Sequence, residues 1–172
     1  TVPYFLPDDV TVSRRHVSWD GSYRRDADPN EPVVFITPAD ALAFCDWLST
    51  QEKAVYRLPS EEEWEYAYRA GTFLRYGFVE RLEDAAKYAW TDEGPPSPPE
   101  NWGTHPHPVG QKQANPFGLF DLAGNVAEFC DTRSPEGLCS RGGPFKNPAI
   151  IDIYARRPAA SLASPTPYHG FR

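Results

Sequence analysis

Three cysteines are the only residues of this 172-residue chain that could supply thiolate chemistry. So few cysteines do not form the disulfide framework of a small secreted domain. Cys45 falls on the apolar face of a predicted helix and is expected to be a buried thiol. Cys130 and Cys139 are close enough in sequence to lie together, either as one disulfide bridge or as two free thiols. Neither has Cys or His companions at zinc-site spacing, so a structural zinc is not expected.

The histidines do not suggest a metal centre or an acid–base pair. The chain contains four of them, His16, His105, His107 and His169, at spacings that do not repeat. His105 and His107 flank a proline in a segment dense in Pro and Gly, which is typical of a loop with solvated side chains. Chemistry is therefore not evident from the titratable residues alone.

A first helix is predicted over residues 38–50. Thr37 suits the N-cap and Pro38 suits the first helical position. Apolar residues then recur at helical spacing, and Cys45 lies among them. A third, shorter helix is predicted over residues 82–90.

A second helix has stronger terminal signals. Ser60 and Glu63 form a capping box at its start. Trp64 and Tyr68 are predicted to face the core, and Gly71 is predicted to end the helix.

Short strands are predicted in the rest of the chain. A compact apolar run predicts a buried strand, and four further runs alternate with turns. Two early helices followed by short strands and long loops are typical of an α+β fold, here a single domain over residues 1–172. The predicted strands are 33–36, 126–130, 138–141, 153–157 and 170–172.

Composition excludes two classes of function. The net charge of −7 argues against a nucleic-acid-binding surface, which is normally basic. A local cluster of arginines at positions 14, 15, 24 and 25 is offset by nearby aspartates. No apolar run approaches the ~20 residues of a membrane span, and no secretory signal is recognised. Cytoplasm, cell surface and virion remain open as locations.

Three segments together resemble the sulfatase-modifying-factor family, which includes the formylglycine-generating enzymes. They are residues 32–49, 56–67 and 115–130, with the Arg-Gly-Gly of 141–143 and the Gly-Phe-Arg of 170–172 as closing motifs. The resemblance implies a C-type-lectin-like fold with two helices, small antiparallel sheets and long loops. Residues 1–31 match poorly and are predicted to be an N-terminal extension.

The resemblance implies a calcium site in the third segment. Side-chain oxygens of Asp121 and Glu128, with carbonyl oxygens of Gly124 and Val126, would be the ligands. Hard oxygen ligands suit Ca²⁺. The alternative is that the two carboxylates only hydrogen-bond the local turn. No cofactor is required on either interpretation.

Oxidase chemistry in this family depends on two cysteines after the Gly-Gly motif, which bind copper as soft thiolates. Residues 142–154 contain no cysteine here. Tyr168 and His169 cannot replace a two-sulfur site. We therefore expect a non-catalytic chain, with a formylglycine-generating-type oxidase as the alternative.

The C-terminal segment instead resembles the variable proteins of diversity-generating retroelements, which use this fold. In those proteins adenines of the gene are randomised, and Asn codons ending in C or T then never yield Lys, Glu, Gln, Trp or Met. Residues 1–143 contain 23 Lys, Glu, Gln and Trp residues, about one in six, whereas the 29 residues of 144–172 contain only Lys146. A strand-and-loop tail can also lack Glu and Lys.

On this interpretation residues 144–172 form a variable region on a fixed frame that includes Arg141, Arg156 and Arg172. Its partner would be a protein or surface ligand of unknown identity, with no nucleic acid involved. A non-catalytic sensor or scaffold module is a further alternative. The predicted contact residues, several of them expected to be exposed and apolar, are Pro144, Phe145, Asn147, Ala149, Ile150, Ile151, Asp152, Ile153, Tyr154, Leu162, Ala163, Thr166, Tyr168 and His169.

Overall fold

A computed structural model provides the fold. It describes residues 30–74, 76–90, 106–132, 137–145 and 164–172, together with the backbone of the two-residue strands at 16–17, 23–24 and 157–158. Most of the predicted N-terminal extension lies outside the described residues, and so do residues 146–156 and 159–163.

Helix α1 spans Pro38–Glu52 and so extends two residues beyond its predicted end. Thr37 is its N-cap, and its side chain accepts a hydrogen bond from the backbone of Asp40. The Asp40 carboxylate in turn accepts from the Thr37 backbone at 2.7 Å. This reciprocal capping box satisfies two backbone donors that a helix start leaves unpaired.

Helix α2 spans Glu61–Arg69 and begins with the predicted capping box between Ser60 and Glu63. Its C-cap is Ala70 in the left-handed conformation (φ 48°), and Gly71, which was predicted to close the helix, follows directly with φ 81°. Helix α3 is only Leu82–Ala85, shorter than the predicted 82–90.

Strands β1 (His16–Val17) and β2 (Tyr23–Arg24) form an antiparallel pair. Among the described residues the main sheet has four strands, β3 (Ala127–Asp131), β4 (Leu138–Arg141), β5 (Arg157–Pro158) and β6 (His169–Gly170), which lie in the order β5-β4-β3-β6. Strand β6 pairs with β3 in parallel, so the sheet is mixed and not wholly antiparallel as expected.

The prediction of a strand at 33–36 is wrong. Phe35 has φ 59°, a left-handed conformation outside the β region, so the segment does not run extended. Its backbone N–H donates to the Thr166 carbonyl at 2.9 Å, while Val34 and Ile36 are buried. The segment is therefore an apolar turn that attaches to the C-terminal part of the chain.

Two buried clusters lie on opposite faces of β3. On one face Cys130 packs with Trp64 and Tyr68 of α2, whose rings stack at 5.2 Å between centroids. On the other face Phe129 packs with Ala41 and Cys45 of α1. Neighbouring residues of one strand thus belong to different clusters.

Cys130 and Cys139 are register partners on β3 and β4, and both are buried free thiols. The alternative of two free thiols is therefore what the structure contains. Hydrogen bonding between the two thiols, together with burial, raises the pKa of Cys130 far above its ordinary value.

No helix among the described residues combines the length and apolarity needed to cross a membrane.

Candidate functional site

Asn125 joins three loops at the start of β3. Its side chain accepts from the His107 N–H at 2.9 Å and donates to the His107 carbonyl at 3.0 Å. Its backbone N–H donates to the Trp90 carbonyl, and its carbonyl accepts from the Phe145 N–H at 2.8 Å. Gly124 permits the close approach, because a Cβ there would overlap the Trp90 carbonyl oxygen. The beginning of the C-terminal segment is thereby fixed to the core.

The end of that segment is fixed by other contacts. The Ala127 N–H donates to the Tyr168 carbonyl at 2.8 Å as β6 joins β3. The Thr166 hydroxyl lies 2.8 Å from the His169 Nδ1 atom. The rings of Phe145 and Tyr168 are 5.6 Å apart, so residues on both sides of 146–163 are close in space.

Arg172 and Glu128 complete this frame through an ion pair in which Glu128 is buried and Arg172 is partly exposed. The Arg172 guanidinium donates to both carboxylate oxygens of Glu128, the shortest contact being 2.8 Å, and also to the Phe120 carbonyl. The Trp64 indole N–H donates to the same carboxylate at 2.7 Å. Burial alone would lower the pKa of Arg172, but the Glu128 charge raises it above its ordinary value.

The structure corrects the expected exposure of some predicted contact residues. Phe145 and His169 are buried, and Pro144 is buried beside Phe145. They cannot present exposed side chains, because the Asn125 contact and the β3–β6 pairing draw them into the frame. Thr166 and Tyr168 are half-buried.

The other predicted contacts lie outside the described residues, and their role stays a prediction. They are Asn147, Ala149, Ile150, Ile151, Asp152, Ile153, Tyr154, Leu162 and Ala163.

A groove of about 420 Å³ opens beside this frame. Three of the four predicted calcium ligands line it, namely Asp121, Val126 and Glu128. The Oδ2 atom of Asp121 accepts from the Gly110 N–H at 2.7 Å, whereas its buried Oδ1 atom accepts no hydrogen bond from the described residues. That oxygen is a suitable ligand for a cation.

Glu128, unlike Asp121, has no carboxylate oxygen available for a calcium ion. A carboxylate offers about four lone-pair positions, and Glu128 already accepts four donor contacts from Trp64 and Arg172. A calcium ion would have to displace Arg172. No group of three His, Cys, Asp or Glu side chains able to hold a metal ion occurs in the described part of the chain.

Several functional contacts were not apparent from the sequence. Glu128 pairs with Arg172, 44 residues away in the sequence. Arg141 contacts Glu65 at 3.0 Å and lies over the Trp64 ring. The closing Gly-Phe-Arg motif was a usable signal, although no local pattern indicates its partner.

Comparison with known proteins identifies the family. Residues 9–172 match the model of the sulfatase-modifying factor enzyme 1-like domain. The chain belongs to this family. It also has the fold of Treponema denticola variable protein 1, with a TM-score of 0.71 and 23% identity over 86% of this chain and 72% of that one. The expected α+β, C-type-lectin-like fold is confirmed, with the mixed sheet as its correction.

Relatives in this family include active and inactive proteins. The formylglycine-generating enzyme of Mycobacterium tuberculosis is 35% identical over 134 residues, covering 66% of this chain and 39% of the relative. The inactive C-alpha-formylglycine-generating enzyme 2 of Mus musculus is 36% identical over 110 residues, covering 62% and 34%. The chain thus spans about two fifths or less of these relatives, and membership in the family does not by itself imply catalysis.

Proposed function

We propose that this chain is a non-catalytic ligand-binding protein of the diversity-generating-retroelement type, with diversified contacts in its C-terminal segment. The observation that carries the proposal is the attachment of both flanks of residues 146–163 to the core. Phe145 is held by the Asn125 carbonyl, and Tyr168 is held by the Ala127 N–H. A surface whose side chains vary needs a backbone frame that does not depend on them.

The composition of the segment and the likeness in fold to a variable protein support the same proposal. The missing cysteines after Gly143 support the absence of copper chemistry, since no thiolate follows that residue. The partner is a protein or surface ligand, and the segment 147–154 is its main contact in this proposal.

A substitution library tests the display of variable residues. We expect that replacing Ile150, Ile151, Ile153 and Tyr154 with other residues changes the thermal midpoint by only about 3 °C, as surface changes do. Phe145→Ala is the matched control in the buried frame, with an expected cost of about 3–5 kcal/mol. Library members that lose as much stability as Phe145→Ala would count against a diversified surface.

The gene gives a direct test of the retroelement. A near-copy of the codons for 143–172, differing only at adenines and lying near a reverse transcriptase gene, is the expected finding. Its absence would favour the sensor or scaffold module.

The oxidase is the second candidate, because the enzyme relatives are 35% identical to this chain. Incubation with Cu(I) and a sulfatase-type cysteine peptide, followed by mass spectrometry of the peptide, tests it. We expect no formylglycine, and turnover would overturn the non-catalytic proposal.

The proposed function requires no cofactor. Calcium at Asp121 is a separate proposal, supported by the buried Oδ1 atom, to which none of the described residues donates a hydrogen bond. If calcium binds there, added Ca²⁺ raises the thermal midpoint of the wild type and not that of Asp121→Asn. Asp131→Asn, at an exposed position, is the control and should keep the response. A wild type that does not respond to millimolar Ca²⁺ would refute calcium binding.

A further inference from the structure

An aromatic patch lies on the surface at the C-terminal end of α2. It consists of Tyr66, Phe73, Phe117 and Phe120, which are 67%, 95%, 46% and 42% exposed. The rings of Tyr66 and Phe117 are 5.5 Å apart, and Phe117 lies over Gly71, two residues before Phe73. None of these side chains is charged. Isolated exposed apolar residues are common, but a group of aromatic rings marks an interaction surface.

The patch continues directly into the groove beside the frame. Gly118, Leu119 and Phe120 follow Phe117 along the chain and line the groove, and Phe171 contributes to its lining. At about 420 Å³ the groove has room for an aromatic side chain. The same surface therefore carries a protruding ring, Phe73, and a largely apolar depression.

We propose that a second copy of this chain docks on this surface, with Phe73 of each copy inserted into the groove of the other. A symmetric dimer requires a surface that is complementary to itself. A projecting ring next to a groove that is mostly apolar, with Asp121, Glu128 and Arg172 as its charged lining residues, meets that requirement without any other partner.

The area of the patch agrees with this assignment. The four exposures together equal two and a half fully exposed rings, which at 150–250 Å² per ring is on the order of 500 Å² of apolar surface. A standard interface buries about 800 Å² per partner, somewhat more than half of it apolar. One patch therefore supplies the apolar part of one interface face.

Charge favours the same location. Each copy has a net charge of −7, so two copies repel one another over most of their surfaces. Interface cores are depleted of charged residues, and the aromatic patch is an uncharged region where two such copies can meet.

Sedimentation velocity of the full chain between about 1 and 100 µM tests the proposal, since interfaces of this size commonly reach micromolar affinity. We expect a concentration-dependent dimer in the wild type. Phe73→Ser should raise the dimer dissociation constant at least tenfold, as loss of an interface hot spot does. Val55→Ser, at a position 90% exposed on the connection between α1 and α2, is the matched control and should leave the constant unchanged.

Mixing two variants tests the ring-in-groove geometry. Phe120→Ser damages the groove and Phe73→Ser removes the ring. Neither homodimer therefore has an intact ring-in-groove contact. The mixed dimer keeps one intact contact, and we expect the mixture to associate more tightly than either variant alone. Thermal midpoints close to that of the wild type would show that these exposed substitutions leave the fold intact.

Three outcomes would overturn the proposal. They are a wild type that stays monomeric at 100 µM, a loss of association in Val55→Ser equal to that in Phe73→Ser, and no gain on mixing. The first outcome would also indicate that the patch serves a different protein or the rest of a longer chain.

Discussion

At the scale of single residues, Gly124 shows how a backbone requirement fixes a residue type. It has φ 73°, and the Trp90 carbonyl oxygen occupies the position where a Cβ would project. We expect Gly124→Ala to lower the free energy of unfolding in urea by at least about 3 kcal/mol, because the overlap forces the two loops apart.

Gly118→Ala is the matched control for that substitution. Gly118 has φ 78°, but among the described residues no atom beyond its two chain neighbours lies within 4 Å of the position that an alanine methyl group would take. It should lose only the left-handed backbone preference, about 1–2 kcal/mol. Equal losses at Gly118 and Gly124 would show that backbone conformation alone, and not the Trp90 contact, controls stability there.

The buried thiols make a second prediction at this scale. Hydrogen bonding to Cys139 and burial raise the pKa of Cys130 above its unfolded value, so above pH ~8.5 the unfolded chain releases a proton that the folded chain retains. Stability is therefore fully present below pH ~8.5 and decreases as the pH rises, by up to about 1.4 kcal/mol per pH unit for one thiol.

The measurement is urea unfolding under reducing conditions between pH 7 and 10. Cys130→Val should lose less stability per pH unit than the wild type, because it has one buried thiol fewer. Burial likewise raises the pKa of Cys45, so Cys45→Val is a useful comparison in the other cluster. Identical pH slopes in wild type and Cys130→Val would contradict the assignment.

At the scale of elements, Asn125 links the loops around Trp90, His107 and Phe145 to β3. We expect Asn125→Ala to lower the free energy of unfolding by about 2–4 kcal/mol, because it removes two hydrogen bonds between the Asn125 side chain and the His107 backbone. Amide exchange at His107 and Phe145 should become faster. The measurement is native-state hydrogen exchange.

Asn115→Ala provides a control of the same residue type. The Asn115 side chain donates to the Ala67 carbonyl and accepts from Phe117 and Leu119, so it organises a different loop. Its removal should destabilise the chain without changing exchange at His107 or Phe145 specifically. Faster exchange at His107 in both variants would mean that exchange reflects general loss of stability.

Elements with local signals could be predicted from the sequence, whereas those that depend on distant partners could not. Ser60 and Glu63 are three residues apart, and their capping box located the start of α2 correctly. The parallel pairing of β6 with β3 joins residues 42 positions apart, which no periodicity reveals. Phe35 resembled a strand residue because its neighbours are apolar, although its backbone turns to meet Thr166.

The same distinction explains the result at the candidate site. The segment from Asp121 to Glu128 was recognised as important from its motif, and all of its residues are buried. The ion-pair partner of Glu128 was not predicted, because only the complete fold brings Arg172 next to it. Exposure of Phe145 and His169 was mispredicted for a related reason, since burial depends on which loops cover a residue.

At the scale of the whole molecule, β3 joins the two buried clusters into one structure. Phe129 packs with the α1 side and Cys130 with the α2 side, and both faces of the strand are buried. A substitution that destabilises one cluster should therefore also destabilise the other. Phe129→Ala is expected to lower the free energy of unfolding by about 3–5 kcal/mol through loss of burial and cavity formation.

Two optical probes can test this coupling in Phe129→Ala. Near-ultraviolet circular dichroism reports on aromatic packing such as the Trp64–Tyr68 stack in the opposite cluster, and far-ultraviolet circular dichroism reports on the helices. We expect both probes to give the same unfolding midpoint, shifted by the same amount from that of the wild type, because the chain unfolds as one cooperative unit. Val55→Ser, at a 90% exposed position outside both clusters, should shift neither. Separate transitions in Phe129→Ala would mean that β3 does not couple the clusters, and that each stabilises its own part of the frame.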